Sequence, residues 1–492
     1  MVYDVVIIGS GLGGLVCANI LARKGMSVAV LERQSVPGGC LQSYTRGAFS
    51  YDTGMHYVGG LGEHQLLGTV FRWLGLDALP WHRLDSDGFD RVMIGDRQFA
   101  LAQGYEAFAE KLASCFPQQE AELRQYVQML RHTAERTRML YSGQARAEDM
   151  PQDMTMSAWS YLHTLFSDEL LINVLSAGSQ KIELRKDSLP LFNFAHSNSS
   201  YIESSWRLRG GGSQIADLLI SQLRAMGGQL LCRHEVCGLD ESAEGLITAA
   251  RCANGARIEG RTFICDAHPA VLAGLLTQDR SDNRRFSRRV GKLPNTSGMF
   301  TASLLLKPGK LRYFNYNQYV YKQANVWTYP QEPGVNGVMI SCRVPDEGEE
   351  YARQIDLLTP MSWSEVAPWA DQPEGRRDKA YQDMKHQKAL ACIALAERAL
   401  PGLSEITQKV FSSTPLTYRH FNLTPQGSAF GIRKDCRQPL LTYLSPRTQS
   451  ANLLLTGQSL MLHGIEGVTL TALSSCAAII GEKAIQDIVN QQ

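Results

Sequence analysis

The chain has 492 residues, more than one simple core accommodates, so its length predicts two or three domains. Hydrophobic residues at 44% and charged residues at 20% exclude a disordered chain. Forty-nine basic against 48 acidic residues leave a net charge of +1, which, with no local basic block, excludes a nucleic-acid surface.

The eleven cysteines are scattered, with no CxxC pair and no Cys/His cluster at zinc spacing. That pattern predicts free thiols, no metal site and a reducing compartment. A strand expected to start by Asp4 leaves no room for a signal peptide. No apolar run reaches the roughly 18 residues a spanning helix needs. The expectation is a cytoplasmic protein.

The chain opens on YDVVIIGSGLGGLVCANILARKGMSVAVLE, Tyr3 to Glu32. Val5 to Ile8 reads as a buried parallel strand, and Gly9, Gly11 and Gly14 follow at once. A helix is predicted from Leu12 to about Lys24, then a strand from Ser27 to Leu31 that ends in Glu32. This is a βαβ unit with a GxGxxG fingerprint and an acid on the second strand. Gly9 permits the tight turn, Gly11 lets backbone approach a diphosphate, and Gly14 begins a small-residue stripe with Ala18 and Ala22. The helix start, at Leu12, offers free N–H groups to an anion, a preference of roughly 0.3–1 kcal/mol per charge. Glu32 accepts from ribose hydroxyls and repels a 2′-phosphate, so the ligand is FAD or NAD and not NADP.

Arg33 and the glycines Gly38 and Gly39 continue this cradle, and Gly59-Gly60 marks a second tight approach. Tyr51 to Gly54 reads as a turn. An acid-ended second strand followed by such a loop points to FAD binding of the glutathione-reductase kind. From about Glu63 to Glu203 the pattern is helical and amphipathic, as in Phe108, Leu112 and Phe116, and predicts a helical cap. Within it, HTLFSDELLINVLSAG is read either as core or as the lining of an apolar tunnel or a membrane contact.

Arg207 to Leu219, RLRGGGSQIADLL, returns to nucleotide-domain character, with Gly210 to Gly212 turning into a helix from Ser213 to Met226. A strand (Gln229 to Arg233) leads to Val236, a candidate adenine contact. A hairpin turning at Asn254-Gly255 and a strand at Phe263 to Cys265 follow. Residues 276 to about 410 are aromatic-rich, from Tyr313 to Trp369, and suit either an apolar ligand floor or an ordinary half-buried sheet. A helix is expected from Asp378 to Ala399. Near the C-terminus an apolar strand, Asn452 to Leu455, precedes Gly457-Gln458, and a helix is predicted from about Thr469 to Val489. Its start, Gly467-Val468, would point N–H groups at the pyrimidine edge of a flavin and favour the anionic reduced ring.

VVIIGSGLGGL, LERQSVPGG, RLRGGGSQIADLL and NLLLTGQSLMLHGIEGV together resemble the carotenoid desaturase, carotenoid isomerase and retinol saturase superfamily of flavoproteins. TPLTYRHFNLTPQGSAFGI and GQSLMLHGIEGV are similar to its saturase and isomerase branch. The resemblance implies an α/β fold: a discontinuous Rossmann-type FAD domain (1–75, 205–275 and 415–492) with an α+β substrate domain from two insertions (76–204 and 276–414). It implies an FAD-dependent oxidoreductase acting on C=C bonds of a long polyene or isoprenoid, by saturation, desaturation or isomerisation, with peripheral membrane contact. Many relatives carry Gly-Asp where Gly457-Gln458 stands; Gln458 still donates and accepts hydrogen bonds. His463 and Glu466 rank first as acid, base or flavin-tuning residues, ahead of His56 and Tyr57. No second strand–GxGxxG–helix unit exists, so the electron donor or acceptor is external. Two rival readings stay open here, a flavin amine or porphyrinogen oxidase and a non-enzymatic prenyl-binding chaperone of the same fold.

Overall fold

The computed structural model describes residues 1–144, 152–329, 332 and 334–490. The chain begins with β1 (Val2–Ile8), α1 (Leu12–Arg23) and β2 (Val28–Glu32). It then leaves for a first excursion carrying β3 (Asp90–Ile94), β4 (Arg97–Leu101) and several helices, the last of them α2 (Leu191–Glu203). It returns through α3 (Ser213–Ala225), β5 (Gln229–Cys232), β6 (Val236–Glu241), β7 (Ile247–Cys252) and β8 (Arg257–Cys265). A second excursion supplies β9 (Gly298–Leu306), β10 (Asn317–Tyr321), β11 (Gly337–Cys342), β12 (Gln354–Met361), α4 (Lys379–Ala396) and β13 (Thr407–Ser413). The chain closes with β14 (Leu453–Leu455), α5 (Gly464–Ile480) and α6 (Glu482–Val489).

The first sheet has seven strands: five parallel ones in the order β5-β2-β1-β8-β14, and β7 and β6, which continue antiparallel from β8. β8 is long enough to fork: its first residues pair antiparallel with β7, and Phe263 to Cys265 pair with β14. Val5, Val6 and Ile7 are wholly buried because helices cover both faces, each side chain contributing about 1.5–3 kcal/mol. The parallel register puts Ile8 beside Leu31 and Cys265, and Cys265 beside Leu455. The chain therefore emerges from these strands along one edge, at Gly9, Glu32, Asp266 and Thr456, where open parallel sheets bind ligands.

The second sheet runs β13-β9-β12-β11-β10-β3-β4, antiparallel except where β10 lies parallel to β3, and so draws strands from both excursions. β3 and β4 correct the all-helical reading of the first excursion: Asp90 to Leu101 alternates and turns at Gly95, which has φ of +58°. Tyr51 and Asp52 lie in a short strand paired with Ser43–Arg46, not in a turn. Leu171, Ile172, Val174 and Leu175 sit in the helical core, so the apolar stretch around them is neither a tunnel wall nor a surface. The final helix starts earlier than expected, at Gly464, and breaks at Gly481, where φ of +85° leaves the helical region. All eleven cysteines are free. Among the described residues no helix is long and apolar enough to cross a membrane, and no His/Cys/Asp/Glu group is arranged to hold a metal.

Candidate functional site

A cavity of about 380 Å³ opens at the carboxyl edge of the parallel sheet and reaches the second sheet, within the range of small-molecule sites. At the near end lie Gly9, Gly11, Leu12, Glu32, Arg33, Gly39 and Val236. Gly457, Gln458, His463, Glu466, Gly467 and Val468 line its flank, and Met299, Met339 and Leu358 of β9, β11 and β12 form an apolar floor. Gly14 and Gly38 stand behind the wall. A Cβ on Gly14 would meet the Gly9 carbonyl at 2.4 Å, so that glycine sets how closely loop and helix pack. Gly38, at φ of +114°, donates its N–H to Ser10 Oγ at 3.2 Å.

Glu32 is buried and held by its neighbours. Ser10 Oγ and Ser10 N donate to its Oε2 at 2.5 and 3.2 Å, and Gln34 N donates to Oε1 at 2.7 Å. The carboxylate is thus fixed in place, with lone pairs left for a diol. Gly11 is the N-cap of α1 and offers no side-chain cap, so the first-turn N–H groups are left for an anion. Gly39, at φ of +55°, brings its backbone so near Gly11 that a Cβ would lie 3.1 Å from the Gly11 Cα. Arg33 turns outward, its Nη1 donating to the His420 carbonyl and its Nε 3.6 Å from Glu235.

Asp266, at the end of β8, faces the same glycine loop. A Cβ on Gly11 would stand 2.6 Å from its Oδ2 and one on Gly13 2.5 Å from its Oδ1. Oδ2 is shut off from solvent and makes no hydrogen bond. Burial raises this carboxyl to about 7, the nearby Glu32 charge adds to the rise, and the N–H groups of Gly11 and Gly14 partly oppose it. An acid that holds its proton near neutrality can share this space with a phosphate. Sequence reasoning passed over Asp266, although an acid closing an apolar strand was the signal used for Glu32.

At the far end His463 stands as the N-cap of α5 without a side-chain capping bond, and Gly464 to Gly467 form the first turn. Gly467 and Val468 therefore sit at the close of that turn and not at its start. His463 Nε2 donates to the Lys181 carbonyl at 2.7 Å, and its ring lies 4.6 Å from that of Phe430. Burial lowers its pKa to about 4, so at neutral pH His463 is an uncharged spacer. Glu466 Oε2 lies 3.4 Å from His196 Nε2, and neither that oxygen nor either His196 nitrogen makes a hydrogen bond. Buried polar atoms without partners, beside a bare helix start, suit a polar ring edge. His56 stands 3.7 Å from Asp356, and Tyr57 donates to Asp90 Oδ2 at 2.9 Å. Of the two readings of the aromatic-rich stretch, ligand floor or packed sheet, the second holds for Tyr319, Tyr321, Trp327 and Tyr329, which are buried in the core shared with the first-excursion helices.

Lys434, also unforeseen, steadies the flank. Its Nζ donates to the carbonyls of Thr442, Ser459 and Leu460 at 2.8, 2.7 and 3.0 Å, and burial lowers it to about 7. It anchors the loop that follows Gly457-Gln458.

Residues 7–74 match the family model of an NAD(P)-binding Rossmann-like domain. The chain is 25% identical to the human all-trans-retinol 13,14-reductase over 99% of its own length and 87% of the relative's. It is 31% identical to the carrot chloroplastic prolycopene isomerase, over 24% of this chain and 19% of that one. Among solved structures, a putrescine oxidase redesigned in its cofactor binding superposes with a TM-score of 0.65 at 15% identity, covering 97% of this chain and 98% of that one.

Proposed function

From a chain homologous to the all-trans-retinol 13,14-reductases and the prolycopene isomerases, we infer an FAD-dependent oxidoreductase that saturates one C=C bond of a long apolar polyene. The observation that carries this reading is the continuity of a glycine cradle with a thioether-lined apolar floor in one cavity. Reduction is preferred over isomerisation because the reductase similarity runs the length of the chain, whereas the isomerase similarity covers a quarter of it.

The residues present fit the cofactor. Glu32 would take the adenosine ribose, Val236 the adenine, and the N–H groups from Gly9 to Leu12, with Gly39, the diphosphate. Gly457 and Gln458 would meet the ribityl chain, and the first turn of α5, through Gly467 and Val468, the pyrimidine edge. When bound and reduced, FAD supplies a hydride to the substrate. Met299, Met339 and Leu358 exclude water from the polyene and orient it. The uncharged His463 keeps α5 in position against Lys181.

The test is anaerobic. Protein reconstituted with FAD and reduced with dithionite is mixed with all-trans-retinol or a longer carotenoid. A gain of two hydrogens by mass, with a blue-shifted absorption, is expected. Purified protein that takes up no flavin, or product changed in geometry alone, overturns the reading.

A further inference from the structure

Adding a hydride to one carbon of a C=C bond leaves the other carbon in need of a proton, and His463, at the start of α5, does not supply it. His463 is uncharged near neutrality, and its Nε2–H is committed to a carbonyl. Tyr57 and Tyr201, both on the cavity wall, are pushed far above the usual phenol range by burial and by the Asp90 charge. Glu466 faces His196, and His56 faces Asp356.

A cation stands on the same wall. Lys181 closes a short helical turn, Gly178–Lys181, and lines the cavity. Its Nζ lies 3.7 Å above the Tyr201 ring and 5.2 Å from the centre of the Tyr57 ring. Among the described residues the ammonium has no hydrogen-bond partner; its ion partner is Asp90, at 3.9 Å. Asp90 is 1% exposed and fully engaged: Tyr57 donates to Oδ2, and Asn317 Nδ2 donates to Oδ1 at 2.8 Å. Arg207 in turn donates to Asn317 Oδ1 at 2.6 Å, and Tyr57 Oη pairs with Tyr319 Oη at 2.8 Å. The carboxylate is therefore locked behind the lysine, and the ammonium keeps its protons for the cavity. The Lys181 carbonyl is the group that receives the His463 N–H, so the backbone of this residue is tied to the start of α5.

We propose that Lys181 is the proton donor of the reduction, with Asp90 and Tyr57 as positioning residues that hold its ammonium at the cavity wall. The proposal rests on the saturase reading. In the step, the C=C bond takes a hydride on one carbon from two-electron-reduced flavin and a proton on its neighbour from Lys181 Nζ. Two new C–H bonds form as the π bond of the C=C and two N–H bonds break, one on the reduced flavin and one at Lys181 Nζ; the flavin is left oxidised, and neutral Lys181 recovers a proton from water entering the cavity. Burial lowers Lys181 to about 8, with the Asp90 charge opposing the drop, so the amine is charged at neutral pH and releases its proton readily. The titratable groups around it are Asp90 on β3, Tyr201 and His196 on α2, Tyr319 on β10, His463 and Glu466 at the start of α5, and Tyr57.

Two measurements on the whole protein test this. In cofactor-free protein carrying ¹³C-dimethylated lysines, the resonance absent from Lys181→Arg should titrate near pH 8; a midpoint at the ordinary lysine value of 10.5 overturns the proposal. In FAD-loaded protein, single-turnover reoxidation of reduced flavin by the polyene should slow by at least ~100-fold in Lys181→Met and equally in Lys181→Arg. Arginine restores the charge without a releasable proton, so rescue by Lys181→Arg would mean a structural cation and sink the donor role. Wild-type turnover should fall above pH ~8, with flavin spectrum and polyene affinity unchanged in both variants. If wild type reduces polyenes and Lys181→Met stays within twofold, the proposal alone fails. If wild type reduces none, the saturase reading fails and takes the proposal with it.

Discussion

Replacing Asp266 by asparagine should stabilise the cofactor-free protein at neutral and alkaline pH while leaving it unchanged in acid. A carboxyl raised from 3.8 to about 7 binds more protons folded than unfolded between those two values. Wild-type stability from this site is therefore complete below pH ~4 and is lost as pH rises through 7, by roughly 4 kcal/mol in all. The amide introduced by Asp266→Asn would carry no charge to bury, and its oxygen can still face the Gly11 and Gly14 N–H groups. With an unfolding entropy of about 2.1 cal/mol/K per residue, a chain this long shifts by roughly 1 °C per kcal/mol, so the variant should melt about 4 °C higher at pH 8. Thermal denaturation followed by tryptophan fluorescence between pH 4.5 and 8.5 measures the difference between the two proteins, in which the other buried acids cancel. A constant difference across that range would refute the claim that Asp266 is held protonated against the glycine loop.

Gly11→Val and Glu32→Lys should each abolish flavin retention, the first because even a Cβ would meet Asp266 Oδ2 at 2.6 Å; yellow protein from either variant contradicts the cradle. Met339→Trp should fill the apolar floor, keeping the flavin spectrum while weakening polyene binding at least tenfold, read by quenching of protein fluorescence. Lys434→Met should orphan the carbonyls of Thr442, Ser459 and Leu460 and destabilise the protein by about 1–3 kcal/mol. Because burial depresses Lys434 to about 7, the unfolded chain binds more protons between pH 7 and 10.5. Wild-type stability should consequently rise over that window, and the rise should shrink in the methionine variant.

What could be read from the sequence was local. Val5 to Glu32 carries strand, glycines, helix and acid in one uninterrupted run, and each piece constrains the next. Gly9, Gly11, Glu32, Val236 and Glu466 reach one cavity because five strands end on one edge, a consequence of parallel pairing. The hairpin at Asp90 to Leu101 was submerged in a helical neighbourhood, although its alternation and Gly95 were there to be seen. The start of α5 was misjudged because His463 caps it without a side-chain bond and so leaves no capping signature. Lys181 offered no local cue at all. Its meaning comes from Asp90, Tyr57 and Tyr201, which lie up to 124 residues away in sequence (181 − 57) and meet it only in three dimensions.

The seam between β3 and β10 binds the two excursions into a single unit. Exchange of ligand preference between distant relatives by transplanting one segment would strip Asn317–Tyr321 of its neighbour and leave a raw edge prone to aggregation. Successful chimeras should be those that carry both segments together. New specificities in such a scaffold then arise more readily by point changes on the floor than by shuffling of pieces.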